Sequence, residues 1–269
     1  MRGTVVISGA STGIGRATSL HLRALGFDVL AGVRRDADAP EGTTPVLLDI
    51  TDAPAIDALA ARIGGEPLAG LVNNAGVGFG GPVEHISLED WRRQFEVNLF
   101  GHIAITRALI PAVRAGGGRI VNIGSIGGRT ALPFAAPYTA SKFAMHAFSD
   151  SLRVELRAQG IRVALIEPGS IATEIWRKGD DTADQVQADL SPELLDRYRR
   201  GLDGVRRATA RAARNAIPPE KVAGVVEHAL TARRPRGRYV VGAEARVQAL
   251  LAHLPAPVTD RLLRLALGI

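Results

Sequence analysis

Short apolar runs alternate with longer stretches of helical period along the first two thirds of the chain. The runs are rich in β-branched and aliphatic residues, and several are apolar at consecutive positions, as in strands that helices cover on both faces. This alternation is typical of βαβ units and predicts a parallel sheet. The predicted strands are Thr4–Ser8, Val29–Val33, Val46–Leu48, Gly70–Asn73, Arg119–Ile123, Arg162–Ile166 and Arg238–Val241, and the predicted helices span residues 14–26, 52–64, 87–115, 137–159 and 219–233.

Two segments fall outside this alternation. Residues 174–217 form a polar, arginine-rich insertion with a helix signal that begins at Ser191, and residues 243–269 form a leucine-rich tail that two prolines interrupt. The chain has no internal repeat and no low-complexity linker. Its 269 residues are therefore predicted to form one domain.

Composition excludes several kinds of chemistry. The chain contains no cysteine, which rules out disulfides, thiolate metal sites and cysteine nucleophiles. Its six histidines show no metal-ligand spacing, so no catalytic metal is predicted. No apolar run approaches the roughly 18 residues of a membrane span, and strand-like sequence begins at Thr4. We therefore expect a cytoplasmic protein without a targeting peptide or membrane insertion.

Arginine supplies nearly all of the positive charge. The sequence has 33 basic and 27 acidic residues, and all but three of the basic residues are arginines. A nucleic acid or another anion is one possible partner, with the arginines between Arg197 and Arg214 as its contacts. Asp196 and Asp203 dilute that charge, and Tyr198 is the single aromatic residue among them. A solvated helix face is therefore favoured, and no nucleic-acid partner is predicted.

A glycine-rich turn follows the first predicted strand and opens a helix. It contains Gly9, Ser11, Thr12, Gly13, Ile14 and Gly15. Glycines let the chain turn tightly and let a pyrophosphate approach backbone amides at the positive end of the helix dipole, so this βαβ context favours a dinucleotide. The same residues spell G-x-S-x-G, the nucleophile turn of serine hydrolases. Only eight residues precede Gly9, which leaves no earlier strand to supply the oxyanion donor of a hydrolase.

A tyrosine and a lysine stand four residues apart on a predicted helix, and a serine follows a predicted strand. Tyr138 and Lys142 share one helix face, so the ammonium can lie near the phenol. A nearby cation favours tyrosinate and lowers the pKa of the phenol toward the range in which a proton donor works best. A hydroxyl at Ser125 can stabilise charge that develops on a substrate oxygen. These residues are predicted to carry acid–base chemistry.

The chain resembles the short-chain dehydrogenase/reductase family over residues 3–242. The resemblance rests on the glycine turn, Asn73–Gly76, Asn98, Ser125, Tyr138 with Lys142, and Pro168 with Gly169, which occur in the family's order. The insertion, the last strand and the tail look most like the branch of 17β-hydroxysteroid and retinol dehydrogenases. The resemblance implies a single-domain Rossmann fold: a doubly wound, seven-stranded parallel sheet with helices on both faces, a lid insertion at 174–217 and a C-terminal helical extension at 243–269.

The resemblance also implies a role for each residue of the site. The catalytic residues would be Asn98, Ser125, Tyr138 and Lys142, with Asn98 holding a proton-relay water near Lys142. The cofactor would contact the glycine turn at its pyrophosphate, Asn74 at a ribose with Ala75 and Gly76 beside it, Asp49 and Ile50 at the adenine, Tyr138 and Lys142 at the nicotinamide ribose, and Pro168, Gly169 and Thr173 at the nicotinamide.

The end of the second predicted strand discriminates between the two nicotinamide cofactors. A carboxylate there would accept both adenosine ribose hydroxyls of NAD. This chain has Val33 at that position, followed by Arg34 and Arg35, whose guanidinium groups can bind a 2′-phosphate. Asp36 would serve as the carboxylate if the register slipped. The predicted cofactor is NADP(H).

The lid insertion bears on the substrate. Its apolar residues recur at helical spacing and either pack in the core or line a lipophilic pocket; they are Leu190, Leu194, Leu195, Tyr198 and Leu202. Together with the resemblance, this pattern predicts an oxidoreductase that acts on a lipophilic ketone, aldehyde or hydroxysteroid-like alcohol. The alternative is a general ketoreductase of smaller or acyl-thioester ketones. The family's pairing of long helices across a two-fold axis implies a homodimer or homotetramer.

Overall fold

The structure, a computed structural model, describes residues 2–174 and 184–269. Within these ranges the strands are β1 (Thr4–Ile7), β2 (Asp28–Val33), β3 (Thr44–Leu47), β4 (Leu68–Asn73), β5 (Arg119–Ile123), β6 (Arg162–Pro168) and β7 (Arg238–Val241). They form one sheet in the order β3-β2-β1-β4-β5-β6-β7, and every neighbouring pair is parallel. The predicted seven-stranded, doubly wound sheet is confirmed.

Helices connect the strands and follow the last one. In the described residues they are α1 (Gly13–Ala24), α2 (Ala53–Ile63), α3 (Leu88–Phe95), α4 (Gly101–Ala115), α5 (Ala136–Glu155), α6 (Pro192–Arg214), α7 (Pro219–Thr231), α8 (Ala243–Leu251) and α9 (Ala256–Leu267), and residues 184–189 are also helical. No helix of this part of the chain is both long enough and apolar enough to cross a bilayer.

Each face of the sheet carries its own apolar core, because side chains alternate between the two faces along every strand. On one face α1 and α7 cover the strands, with Leu22 and Val226 fully buried. On the other face α2, α4 and α5 do so, with Leu59 and Ile105 buried. The Rossmann architecture that the family resemblance implies is therefore confirmed.

The winding of the sheet reverses between β1 and β4. From β1 the chain proceeds outward to β2 and β3, and it then crosses back to β4 to build the other half. Loops that leave adjacent strands in opposite directions open a crevice at the carboxyl edge, where open α/β sheets bind their ligands. The glycine turn and the Asn74–Gly76 segment both lie at this edge.

A π turn interrupts the long helix that the sequence predicts at 87–115. Ser87 caps α3, because its hydroxyl accepts the Asp90 N–H at 3.0 Å. The π turn, Glu96–Phe100, then joins α3 to α4 and contains the fully buried Asn98. Such turns are frequent at functional sites, and periodicity alone did not reveal this one.

Helix α6, in the segment predicted to be a lid, docks through glycines. The predicted helix signal at Ser191 is confirmed, since the Ser191 hydroxyl caps α6 by accepting the Leu194 N–H at 3.3 Å. A Cβ on Gly201 would lie 2.3 Å from Cζ of Phe134, and one on Gly204 would lie 2.1 Å from the carbonyl oxygen of the last residue of α9. Gly201 and Gly204 are the buried residues of α6, whereas Leu194, Leu195 and Leu202 of the predicted apolar face are partly buried. Residues 175–183 of the predicted lid lie outside the described residues.

Candidate active site

The glycine turn packs tightly against the loop that follows β4. A Cβ on Gly15 would lie 2.2 Å from the Gly9 carbonyl oxygen and 2.4 Å from Nδ2 of Asn74. A Cβ on Gly9 would lie 2.8 Å from Cα of Ala75, and Gly9 adopts a φ of 64°. Side chains at these positions would force the two loops apart, so the glycines bring them together across the crevice.

Asn74 fixes the glycine turn by hydrogen bonds. Its Nδ2 donates to the carbonyl oxygens of Ser8 and Gly9, each at 3.0 Å. In return, the Ser8 hydroxyl accepts the backbone N–H groups of Asn74 at 3.0 Å and Ala75 at 3.2 Å. Asn74 therefore holds the turn in shape, and its predicted ribose contact stays a prediction.

The N-terminus of α1 fits a phosphate group. Thr12 stands at the N-cap without a side-chain capping hydrogen bond, and the first turn contains no acidic residue. Thr173 closes over the turn, since a Cβ on Gly13 would lie 3.0 Å from its methyl group. Uncapped N–H groups and a positive helix end favour an anion, as the pyrophosphate of a dinucleotide requires.

Two arginines follow β2, as predicted, and they differ in their partners. Arg35 binds Asp38 through two hydrogen bonds of 2.9 and 3.0 Å. The hydrogen bond from the Thr51 backbone N–H lowers the pKa of Asp49, and the charge of Arg34 lowers that pKa further. Arg34 and Asp49 are therefore near each other, at the edge where the sequence predicts the adenosine end of the cofactor.

The remaining predicted cofactor residues lie around this edge. Ile50 is buried in the core, and both its carbonyl oxygen and its side chain pack against Gly101. Pro168 ends β6, and the Gly169 N–H donates to the Val241 carbonyl oxygen at 2.9 Å.

The three predicted catalytic side chains Ser125, Tyr138 and Lys142 meet after β5. Tyr138 and Lys142 stand one turn apart on α5, with the Lys142 Nζ 5.9 Å from the centroid of the phenol ring. Nζ donates to the Ile123 carbonyl oxygen at 3.2 Å. The Ser125 hydroxyl hydrogen-bonds the Tyr138 phenol and accepts the Gly127 N–H at 3.0 Å. A proton donor, a second hydroxyl and a buried ammonium thus share one edge of the sheet.

The electrostatics of these groups differ from the prediction in one respect. Burial raises the pKa of the Tyr138 phenol, and the Ser125 hydroxyl is the group that lowers it. Burial also lowers the pKa of Lys142 to about 8. The predicted lowering of the phenol's pKa by Lys142 is wrong for this structure, because Nζ binds the Ile123 carbonyl instead of the phenol.

Asn98 connects the loop after β4 to α5. Its Oδ1 accepts the Val77 N–H at 2.9 Å, and its Nδ2 donates to the Val77 carbonyl oxygen at 3.0 Å and to the Ser141 hydroxyl at 3.1 Å. The buried amide is therefore fully used in fixing the loop beside Gly76. The relay water that the resemblance assigns to Asn98 stays a prediction.

Two buried histidines, which the sequence analysis missed, hold loops of the site. Nε2 of His102 lies 2.8 Å from the Ala75 carbonyl oxygen, and Nε2 of His146 lies 3.1 Å from that of Ser125. Because a carbonyl oxygen only accepts, both Nε2 atoms carry a proton. Burial lowers the pKa of each imidazole to about 4, so both are neutral near pH 7. Spacing was the available signal, since each histidine follows a predicted site residue by four positions.

Apolar side chains meet beside the loop after β4, which also approaches Tyr138, since a Cβ on Gly78 would lie 3.7 Å from Cδ2 of the phenol. Phe134 adopts a φ of 62°, a strained value for a residue with a side chain, and its ring meets that of Tyr198 edge-on at 6.0 Å between centroids. A Cβ on Gly81 would lie 3.0 Å from a methyl group of Val186. The loop after β4, the segment before α5, and α6 therefore converge at this edge.

Comparisons with known proteins agree with this geometry. A family model described as short chain dehydrogenase matches residues 3–184. YbbO, an uncharacterized oxidoreductase of Escherichia coli K12, is 37% identical over 98% of this chain and 95% of its own. Retinol dehydrogenase 5 of Mus musculus is 38% identical over 96% of this chain and 87% of its own. The NADPH-dependent 3-dehydrocapnine reductase of Ornithobacterium rhinotracheale is 34% identical over 88% of this chain and 87% of its own.

Solved structures show the same fold. A short-chain dehydrogenase from Streptomyces avermitilis superposes with a TM-score of 0.78 at 27% identity, covering 99% of this chain and 97% of its own. A short chain dehydrogenase from Burkholderia cenocepacia J2315, in complex with NADP, gives a TM-score of 0.76 at 28% identity and covers 97% of each chain. The chain described here is therefore an oxidoreductase that belongs to the short-chain dehydrogenase/reductase family.

Proposed function

We propose that this protein is an NADP(H)-dependent oxidoreductase that transfers a hydride between the nicotinamide and a lipophilic carbonyl compound or its alcohol. The observation that carries this proposal is the meeting of Ser125, Tyr138 and Lys142 at the crevice edge, beside an uncapped helix N-terminus. The predicted binding and catalytic residues together have the donors, charge and space that such a reaction requires.

In the reducing direction, the side chains of the site handle the proton. NADPH, when bound, supplies the hydride that the carbonyl carbon accepts, and the electron pair of the C=O bond moves to oxygen. Tyr138 donates its phenolic proton to that oxygen, which completes the alcohol. Ser125 donates its one hydrogen bond to that oxygen while charge develops on it and, once the proton has moved, to the tyrosinate left behind. The ammonium of Lys142 would bind the nicotinamide ribose.

Arg34 is the residue that we expect to select NADPH. The NADP-bound structural relative and the NADPH-dependent enzymatic relative support this choice. Arg34→Asp is expected to lower kcat/KM for NADPH by about 10- to 100-fold, because a charge-assisted hydrogen bond is lost and a repulsive carboxylate is introduced. Steady-state kinetics with NADPH and NADH as the varied substrate measure the change.

Arg35 provides the matched control for Arg34. Its guanidinium already binds Asp38, so Arg35→Asp is expected to change the preference much less. Equal NADPH kinetics in Arg34→Asp and the wild type, or a wild-type preference for NADH, would contradict the assignment.

A lipophilic substrate is supported by the side chains around the mouth of the site. Phe134, Val186 and Tyr198 come from three separate segments and lie beside the loop after β4, the same loop that approaches Tyr138. Retinol dehydrogenase 5 and 3-dehydrocapnine reductase are relatives over most of the chain, and the name of the first contains a lipophilic alcohol. Apolar walls with a few convergent polar groups are typical of small-molecule pockets.

A four-member panel tests the substrate class. NADPH oxidation is followed with all-trans-retinaldehyde, a steroid 17-ketone, 4-phenyl-2-butanone and an acetoacetyl thioester. We expect the highest kcat/KM with one of the first two compounds. Turnover confined to the thioester would contradict the lipophilic pocket and favour the alternative of an acyl-thioester ketoreductase. Absence of turnover with all four compounds would count against the proposed function.

The outer surface bears on the oligomeric state and on the arginine-rich face of α6. A homodimer or homotetramer is the proposed state, and the exposed aromatic residues Phe100 and Phe143 offer it an apolar contact. The arginine-rich face of α6 is proposed to be solvated, because Arg197 and Arg206 form ion pairs with Glu193 and Asp184. The single domain and the cytoplasmic location stay predictions.

A further inference from the structure

Four polar side chains meet beneath the turn that carries Ser125, and we call Arg129, His146, Glu167 and Arg238 the Glu167 cluster. The Glu167 carboxylate is fully buried at the end of β6. Arg129 donates to it through two bonds, of 3.0 and 2.6 Å, and Arg238 donates to Oε1 at 3.0 Å. Nδ1 of His146 lies 3.4 Å from the same Oε1. The cluster thus joins α5, β6, β7 and the Ser125 turn.

The charges of the cluster leave the His146 imidazole neutral. Two guanidinium groups already face the single carboxylate of Glu167, and Arg238 also pairs with Asp150. Burial lowers the pKa of His146, and the charges of Arg238 and Arg129 lower it further. The Glu167 carboxylate raises this pKa, but its effect is smaller than that of burial. A neutral imidazole has one proton, and the contact with the Ser125 carbonyl oxygen requires it on Nε2.

The imidazole also fills the space under the turn. A Cβ on Gly128 would lie 2.4 Å from Nε2 of His146, and one on Gly124 would lie 3.1 Å from it. The ring therefore touches the backbone on both sides of Ser125. Arg129, the residue after Gly128, fastens the far end of the turn to Glu167. The turn is held at its start, along its length and at its end.

We propose that His146 is a positioning residue for Ser125: its Nε2–H fixes the Ser125 carbonyl, and close packing against the backbone at Gly124 and Gly128 holds the ring in place. The direction of the Ser125 hydroxyl toward Tyr138 then depends on His146, although His146 contacts neither the phenol nor a substrate. The inference rests on the proposed function, in which that hydroxyl serves the reacting oxygen and the tyrosinate.

The protonation of His146 is testable without a substrate. A ¹⁵N NMR spectrum of histidine-labelled protein distinguishes the two neutral tautomers and the imidazolium, and the His146 signals are identified by their loss in His146→Gln. We expect the Nε2–H tautomer near pH 7. An imidazolium or an Nδ1–H tautomer would overturn the proposed hydrogen bond to Ser125.

Kinetics test the positioning role. His146→Phe retains a ring but has no donor, so kcat with the fastest panel carbonyl is expected to fall about tenfold or more, with little change in KM for NADPH. His146→Gln retains an N–H donor and is expected to recover most of that loss. His21→Phe is the matched control, because His21 also contacts a glutamate, Glu227 at 2.7 Å, but on the opposite face of the sheet. Unchanged kcat in His146→Phe would overturn the inference.

A double variant separates positioning from general destabilisation. If His146 acts through Ser125, adding His146→Phe to Ser125→Ala is expected to change kcat by less than about twofold. Multiplicative losses would assign His146 an independent structural role and overturn the inference. If His146→Phe keeps full activity while Tyr138→Phe loses activity, this inference alone is rejected. Full activity of Tyr138→Phe, with the predicted His146 tautomer, rejects the proposed function instead.

Discussion

Tyr138→Phe is expected to lower kcat for carbonyl reduction by about 10²- to 10⁴-fold, the range that general acid catalysis contributes. Phenylalanine preserves the ring and its packing on α5, but it has no proton to give to the substrate oxygen. The variant also removes the hydroxyl that Ser125 binds. Steady-state NADPH oxidation with the fastest panel carbonyl measures the loss.

Tyr239→Phe is the matched control for this experiment. Tyr239 lies on β7, and its hydroxyl accepts the Arg236 backbone N–H at 2.8 Å. The control therefore removes a phenolic hydroxyl from a polar contact other than the one with Ser125. Activity of this variant is expected to stay within about twofold of the wild type. Wild-type kcat in Tyr138→Phe, with an unchanged circular dichroism spectrum, would contradict the role of Tyr138 as proton donor.

Lys142→Met is expected to remove most of the activity while it stabilises the protein in the absence of cofactor. Methionine has a similar length but no charge, so the cofactor ribose loses its cationic partner. Hydrogen bonds to charged groups contribute about 1.5 to 3 kcal/mol, so we expect a loss of about 10- to 100-fold in kcat/KM. Initial rates with varied NADPH measure it.

The stability effect follows from the burial of the ammonium. Burial lowers the pKa of Lys142 from 10.5 to about 8, so between these values the unfolded chain binds more protons than the folded one. The free energy of unfolding therefore rises with pH across this window, by on the order of 1 to 3 kcal/mol. Below about pH 8 the folded protein carries the full cost of burying the charge, and Lys142→Met removes that cost.

Thermal unfolding without cofactor tests this account. The melting temperature of Lys142→Met is expected to exceed that of the wild type near pH 7, and the difference is expected to shrink as the pH approaches 10.5. A lower melting temperature near pH 7, with a difference that does not depend on pH, would contradict the claim that a buried ammonium destabilises the protein.

Most of the fold could be predicted because strands covered on both faces are apolar throughout. Arg119–Ile123 and Arg238–Val241 were predicted with the ends that the structure has. β6 extends to Pro168, two residues beyond its prediction, because pairing with β7 continues there. The π turn at Asn98 was missed, and the side chain of Asn98 binds Val77, a residue distant in sequence.

The site was predictable where its chemistry depends on short spacing. Tyr138 and Lys142 needed only the geometry of one helical turn, and the glycine turn needed only its place after β1. The direction of the Lys142 ammonium was not predictable, because the Ile123 carbonyl that binds it belongs to a neighbouring strand.

The Glu167 cluster could not be predicted from local sequence patterns. Its four members come from a turn, a helix and two strands, and β6 and β7 become neighbours only through sheet pairing. Glu167 itself stands in an apolar strand, where a fully buried carboxylate requires partners. That isolated charge was the available signal, although the sequence could not identify the two arginines that satisfy it.

Deuterium transfer tests the central claim most directly. The wild type and Tyr138→Phe are given NADPH deuterated at both C4 positions, together with the fastest panel carbonyl, and the alcohol is analysed by mass spectrometry. We predict one deuterium on the carbinol carbon of the wild-type product, formed at least about 100-fold faster than by Tyr138→Phe. NADPH oxidation without a deuterated alcohol, or equal rates of labelling in both proteins, would contradict the account.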